Sequence, residues 1–487
     1  MADVRTKFVN SFNGKSRTFG VRLDILTNMQ LFKTKNDMES LMKFLNGCRI
    51  KFLNIGSIFA RRNEKIISSF AIDENILSPA VLGETFPAEE TIGRLMDFFD
   101  RHNTQTLRTE FTNFCDKHGY WIEEYSLYCA LSDQIGTNDF SQWPDILKMY
   151  SRRIADIVKK QLPDRILFHK ILQFFAYKQL KLIKSIANGA GIFLCGDCDL
   201  LCENLSADVW KSQKMFFIND ISKATVFVGF PPSDMCREGL KSTKVPYRVA
   251  FLKNNHYEFF ENLFSNGQTL FDAIFLLNGH SIFQYWEIAS SETDPKHGRW
   301  VNVPTDTFFQ YLDSHFNNFP YLFDFNEPLF ASNEIISKHH NMLQVVIDGE
   351  PTAHACNIYN LQRQLFAVST HNCNRKISKV HVAPNTIVPC VKSCLDNYKK
   401  GAYQMCILHF DEICDIIKCS PDGLLKDPVS SASKFVSSIN GQKFLAIPKI
   451  SRSSYRSSTL GQLKQTTPRQ SFRKKIVSFL KNLFKWK

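Results

Sequence analysis

The sequence predicts an α/β fold, a (β/α)8 TIM barrel with helical insertion subdomains. Eight short apolar runs recur along the chain, at 19–25, 50–55, 192–197, 272–277, 321–326, 343–347, 365–369 and 405–410. They are rich in β-branched and aromatic residues and stay apolar instead of alternating, the pattern of strands buried on both faces of a parallel sheet. Helical patterns lie between them, and strands alternating with helices imply βαβ units. Eight such strands suggest a closed barrel.

The elements follow in chain order. Between the second and third runs, residues 57–191 form a largely helical insertion. Within it Phe168, Leu172, Phe175, Leu180 and Ile183 fall at near-helical spacing. The barrel body is assigned to 1–450. Residues 451–470 are rich in Ser, Thr, Gln and Arg, with few apolar side chains, and predict a disordered basic linker. From Ser471 to Lys487 the chain reads SFRKKIVSFLKNLFKWK. On a helix Phe472, Ile476, Phe479, Leu480 and Leu483 share one face, and Lys474, Lys475, Lys481 and Lys485 take the other. That is a basic amphipathic helix, suited to an anionic membrane surface, to a protein groove, or to docking on the barrel.

Composition narrows the function classes. A chain of 487 residues that is 44% apolar and 22% charged buries a large core, and most of its 43 phenylalanines belong there. The net charge is +13, but Ser451 to Lys487 holds ten basic residues and no acidic one, which leaves the body at +3. A basic tail is not a nucleic-acid-binding body, so no nucleic-acid partner is expected. The start of the chain is polar, without the apolar core of an export signal, and the 14 cysteines are scattered. A cytoplasmic location with reduced thiols is expected, peripheral to a membrane if the tail binds one. Cys195 and Cys198 form a CxxC pair with no second pair at ligand spacing, so no metal is expected. No apolar run approaches the ~20 residues of a membrane-spanning helix.

The common catalytic signatures are missing. Gly14-Lys15-Ser16 looks like the end of a phosphate loop, but Val9 stands where its first glycine belongs. There is no GxGxxG, GxSxG or HExxH. Four longer blocks carry more information. The first runs from Phe114-Cys115 through Trp121, Tyr125, Leu127 and Ala130 to Trp143-Pro144; the second runs from Gly191 to Trp210 and contains SADVW. The third, GFPPSDMCREG, ends at Gly239, and the fourth, YWEI…GRWVNVP, runs from Tyr285 to Pro304.

In order and spacing these blocks resemble glycoside hydrolase family 77, the amylomaltases or 4-α-glucanotransferases, over roughly residues 18–410. The resemblance implies retaining transglycosylases built on a (β/α)8 barrel, acting on α-1,4-glucans with no cofactor. Such a reaction needs a carboxylate nucleophile and a carboxyl acid/base ~5 Å apart, beside a third, stabilising carboxylate. In the family the nucleophile lies in R-I-D-H-F-R-G ahead of a Tyr-Trp pair. Counting back from Tyr285-Trp286 puts Leu277 at the nucleophile, Phe275 at the accompanying arginine and Asn278 at the histidine. The acid/base position falls on Asp324, or on Glu327 in a slipped register, and the stabilising aspartate, after Thr370-His371, falls on Asn372. After Gly239 the family's Gln and Trp are replaced by Leu240 and Ser242. Substrate-binding positions that keep their residues are Asp197, Asp208, Trp210, Tyr247 and His371, with Gln344 beside them. Each also has a bland reading: Trp210 as core, and Asp208 beside Ser206 as part of a helix cap.

The resemblance therefore implies a 4-α-glucanotransferase-family protein whose nucleophile and stabiliser are gone: a pseudoenzyme with at most weak α-glucan binding. The alternatives are an active glucan-modifying enzyme with a rebuilt site, or a scaffold tethered through its tail.

Overall fold

The computed structural model describes residues 18–78, 97, 99–101, 104–232, 237–304, 306–316, 319–324, 342–347, 365–369 and 403–441. Eight strands, β1 (Thr18–Arg22), β2 (Ile50–Asn54), β3 (Phe193–Asp199), β4 (Ala273–Leu277), β5 (Tyr321–Asp324), β6 (Met342–Ile347), β7 (Leu365–Ser369) and β8 (Tyr403–His409), pair in sequence order. β1 pairs with both β2 and β8, so the sheet closes into a barrel in which every pairing is parallel.

The expected strands and the observed ones agree to within a few residues, and the differences have local causes. The first run continues to Ile25, but β1 stops at Arg22 because Asp24 caps a 3-10 turn, Ile25–Thr27, by accepting from the Leu26 amide. The last stops before Phe410, where His409 and Glu412 form a capping box that starts a helix.

Alternation along the strands sends one set of side chains into the barrel. Phe52, Cys195, Ala273, Phe275, Leu322, Val345, Met405 and Ile407 pack there, with Phe193 and Leu277 against them. The lumen is filled to contact. A Cβ on Gly20 of β1 would lie 3.0–3.1 Å from Met405, Ile407 and Phe52, so β1 contributes no side chain at that level. Cys195 points into this cluster and Cys198 into the outer core, so the two sulfurs of the CxxC lie on opposite faces of the sheet.

Helices cover the outside. α1 (Lys35–Gly47) is opened by a capping box of Thr34 and Asp37. Between β2 and β3 lie α2 (Gln105–Lys117), α3 (Gly119–Ile135) and α4 (Pro163–Gly189), the last started by a proline in its first turn. The loop after β3 holds α5 (Ala207–Lys211), and α6 (Val249–Asn254) and α7 (Glu258–Leu270) lead back to β4. A four-stranded antiparallel sheet, in the order Gly298–Asn302, Gln284–Ala289, Val226–Phe230, Leu240–Lys241, stands beside the barrel. It brings the start of the third motif block against the fourth, Gly229 opposite Trp286. Among the described residues no helix is long and apolar enough to cross a membrane. The linker 451–470 and the helix expected from Ser471 to Lys487 lie outside the described residues.

Candidate active site

The C-terminal ends of β3 and β4 bring together the residues the sequence singles out. The two strands pair so that Phe275 lies opposite Asp197 and Leu277 opposite Asp199. Leu277 is the last residue of β4 and half-buried against the lumen cluster. Its carbonyl accepts from the Leu200 amide at 3.2 Å. Asn278 follows with φ 56°, a left-handed conformation that asparagine tolerates better than most residues.

Two polar clusters occupy this end of the barrel. In the first, Asp197 is 2% exposed and takes the Arg22 guanidinium at 2.5 Å. Its other oxygen accepts from Asn54 Nδ2 at 3.2 Å, and Asn54 Oδ1 accepts from the Gly56 amide at 2.7 Å. Arg22 lies over the Phe275 ring, 5.4 Å from its centroid. Position 275 is where the resemblance expects an arginine. A guanidinium is present after all, but it comes from β1 and is bound to Asp197.

In the second cluster Asp199, 8% exposed, binds the Lys244 ammonium, and accepts from Asn278 Nδ2 at 2.8 Å and from the Leu201 amide at 3.0 Å. Lys244 also lies 3.7 Å from Glu203, whose second oxygen accepts from Thr243 Oγ1 at 2.5 Å. Burial works against the Lys244 charge, but Asp199 and Glu203 outweigh it and hold the ammonium above the usual lysine range.

Of the other positions, Asp324 lies at the same end of the barrel, one residue beyond the Leu276–Phe323 pair of β4 and β5. Asp324 ends β5, its backbone in register with Val345, and Gln344 lies in β6 opposite Phe323. Glu327, His371 and Asn372 lie outside the described residues. Asp208 and Trp210 share α5 but face different surroundings. Trp210 is 3% exposed, donates its indole N–H to the Leu147 carbonyl at 2.9 Å and packs among Tyr128, Trp143 and Tyr150. Its surface is used in packing. Asp208 accepts from the Ser69 amide at 2.6 Å, and burial raises its carboxyl to about 6. The Ser206 side chain, not Asp208, caps α5. Tyr247 packs against Phe216, Phe259 and Phe260 with its hydroxyl 3.4 Å from Cys202 Sγ.

Sequence reasoning missed Arg22, Asn54, Asp199 and Lys244. Arg22 and Asp199 left a signal, since each is a charged residue inside or beside an otherwise apolar strand run. Lys244 is 45 positions from Asp199 and left none.

Residues 84–332, just over half of the chain, match the family model of the 4-α-glucanotransferases. The chain belongs to the 4-α-glucanotransferase family. It is 26% identical over 215 residues to a 4-α-glucanotransferase of Thermus thermophilus, covering 44% of this chain and 43% of that protein. It is also 26% identical over 275 residues to that of Aquifex aeolicus, covering 55% and 56%. The chain thus spans about half the length of the curated relatives it matches. The fold matches further than the sequence does. An amylomaltase from Streptococcus agalactiae, solved in complex with acarbose, superposes with a TM-score of 0.70 at 13% identity, over 87% of this chain and 99% of that one. The amylomaltase of Corynebacterium glutamicum gives 0.62 at 11%, over 88% and 76%. Within this 4-α-glucanotransferase fold, Leu277 and Asp199 stand where β4 and β3 end.

Proposed function

We propose that this chain is a catalytically inactive member of the 4-α-glucanotransferase family that binds α-glucan weakly or not at all. One observation carries the reading. Leu277 ends β4 at the position the resemblance gives to the nucleophile, and the carboxylate opposite it, Asp199, is committed to Lys244, Asn278 and the Leu201 amide. A leucine has no lone pair to attack an anomeric carbon, and loss of a catalytic nucleophile typically removes ~10⁶ in rate. The Arg22–Asp197 pair and the Phe275 ring beside it fill the lumen end with groups that already have partners. Sugar hydroxyls entering there would lose water without gaining equivalent hydrogen bonds. Titration of the full chain with maltoheptaose by calorimetry tests the binding half. Weak or absent heat is expected, and a micromolar dissociation constant would contradict the proposal.

Asp199 also favours a second reading, an enzyme with a relocated nucleophile, because it is a carboxylate paired in register with Leu277. Glucan transfer that disappears in Asp199→Asn would establish it. Through its tail, the chain is further proposed to attach to an anionic membrane surface, with the basic face of residues 471–487 toward the lipid headgroups.

A further inference from the structure

A cavity of about 310 Å³ opens between α3, α5, α6 and α7. That volume lies at the low end of small-molecule sites. Trp121 forms its floor, stacked between Phe70 and Tyr177. Tyr120 and Phe259 meet Phe70 edge-on, at 5.6 and 5.5 Å between centroids, and line its more accessible side.

Three carboxylates and one lysine share this space: Glu124, Asp208, Glu258 and Lys211. Lys211 is engaged, donating to the Tyr120 carbonyl at 2.7 Å and to Glu124 at 3.2 Å. Asp208 and Glu258 have no ion pair among the described residues. Asp208 accepts from the Ser69 amide and from Ser68 Oγ, and burial raises its carboxyl to about 6 although these bonds and Lys211 pull the other way. Aromatic walls beside three carboxylates and a single lysine leave the cavity net negative, which attracts a cation and repels an anion.

We propose that this cavity binds an organic cation, an alkylammonium whose apolar body lies against Tyr120 and Phe259, above the buried Trp121, and whose nitrogen sits against Asp208. Tyr120 and Phe259 give the charge aromatic neighbours, and Asp208 supplies the anion beside them. None of its lining residues belongs to the Asp197 or Asp199 cluster, so its presence does not depend on the fate of catalysis.

Choline is the first probe, titrated into the full chain at pH 8 by calorimetry, with its neutral isostere 3,3-dimethylbutan-1-ol and with maltose beside it. Saturable choline binding is expected, with the isostere at least tenfold weaker. Asp208→Asn, whose amide oxygen still accepts from Ser69, is expected to weaken choline at least tenfold. Glu258→Gln, at an exposed position, is expected to weaken it severalfold, and Asp145→Asn, exposed and outside the cavity's lining, leaves it unchanged. Trp121 is expected to report binding as a change in tryptophan fluorescence. Equal affinity for choline and the isostere would overturn the proposal in favour of an apolar pocket. Maltose binding that depends on Asp208 would overturn it in favour of a sugar site. So would the absence of saturable choline heat up to about 50 mM, far above the millimolar constants of weak specific ligands.

Discussion

Returning a carboxylate to position 277 asks whether one lost group is all that separates this chain from an active transglycosylase. Leu277→Asp removes a half-buried leucine from the lumen cluster, worth about 1 kcal/mol when roughly half of a side chain's full burial is lost. It also sets a second carboxylate beside Asp199, its register partner on β3. Neighbouring strands are ~4.8 Å apart. Two like charges at about 5 Å repel by about 3 kcal/mol at an effective dielectric near 20. Lys244 is already shared between Asp199 and Glu203, so it offsets only part of this. The net loss is expected to be about 2–4 kcal/mol near pH 8, at the upper end of ordinary single substitutions. The introduced carboxyl is raised in the folded state above its unfolded value near 3.9. Its destabilisation is therefore present when it is charged and fades as pH falls through the folded value. Thermal unfolding of wild type and variant from pH 8 to pH 4 should show a melting-temperature gap that narrows toward acid. Incubation with maltotriose should yield no product, because Asn372 and Phe275 are still in place. A constant gap at every pH, or glucose and maltotetraose appearing with the variant, would refute this reasoning.

Other perturbations reach different parts of the account. Lys244→Met leaves Asp199 buried without its cation and is expected to cost about 3–5 kcal/mol, while Lys244→Met with Asp199→Leu recovers most of it. A double-mutant cycle by thermal unfolding checks this, and equal losses in both variants would contradict it. His118, 2% exposed, is lowered to about 4 by burial and then by Lys117 and Lys181. The unfolded imidazole takes its proton near 6.5, so the stability held by neutral His118 is present above that pH and is lost as pH falls toward 4. His118→Gln should flatten the stability curve between pH 6.5 and 4, and an unchanged slope would remove His118 as its cause. For the tail, the full chain should co-sediment with phosphatidylserine vesicles at low salt and a truncation ending at Ile450 should not; equal behaviour of the two excludes the membrane proposal.

The barrel was legible because its strands are buried on both faces. AIFLL at 273–277 is apolar on all five residues, and in IKFLN at 50–54 only Lys51 is exposed, as a closed parallel sheet demands. The antiparallel sheet was less legible. Gln284–Ala289 and Gly298–Asn302 were noticed as motif blocks, while their pairing, Trp286 opposite Trp300, depends on contacts across a turn. At the candidate site the sequence located Leu277 and Asp197 but not their partners. Arg22 and Asp197 are 175 positions apart, and a single sequence holds no trace of which distant charge a buried carboxylate will take. Trp210 illustrates the opposite limit. Its type suits a sugar platform, but only the surrounding Trp143, Tyr128 and Tyr150 reveal how its faces are used.

The most direct measurement is disproportionation of maltotriose by the purified full-length chain, followed over a hundredfold range of protein concentration. The account predicts no glucose and no longer oligosaccharide at any concentration, with Asp199→Asn indistinguishable from wild type. A product ladder that grows in proportion to the protein, and vanishes in Asp199→Asn, would contradict it.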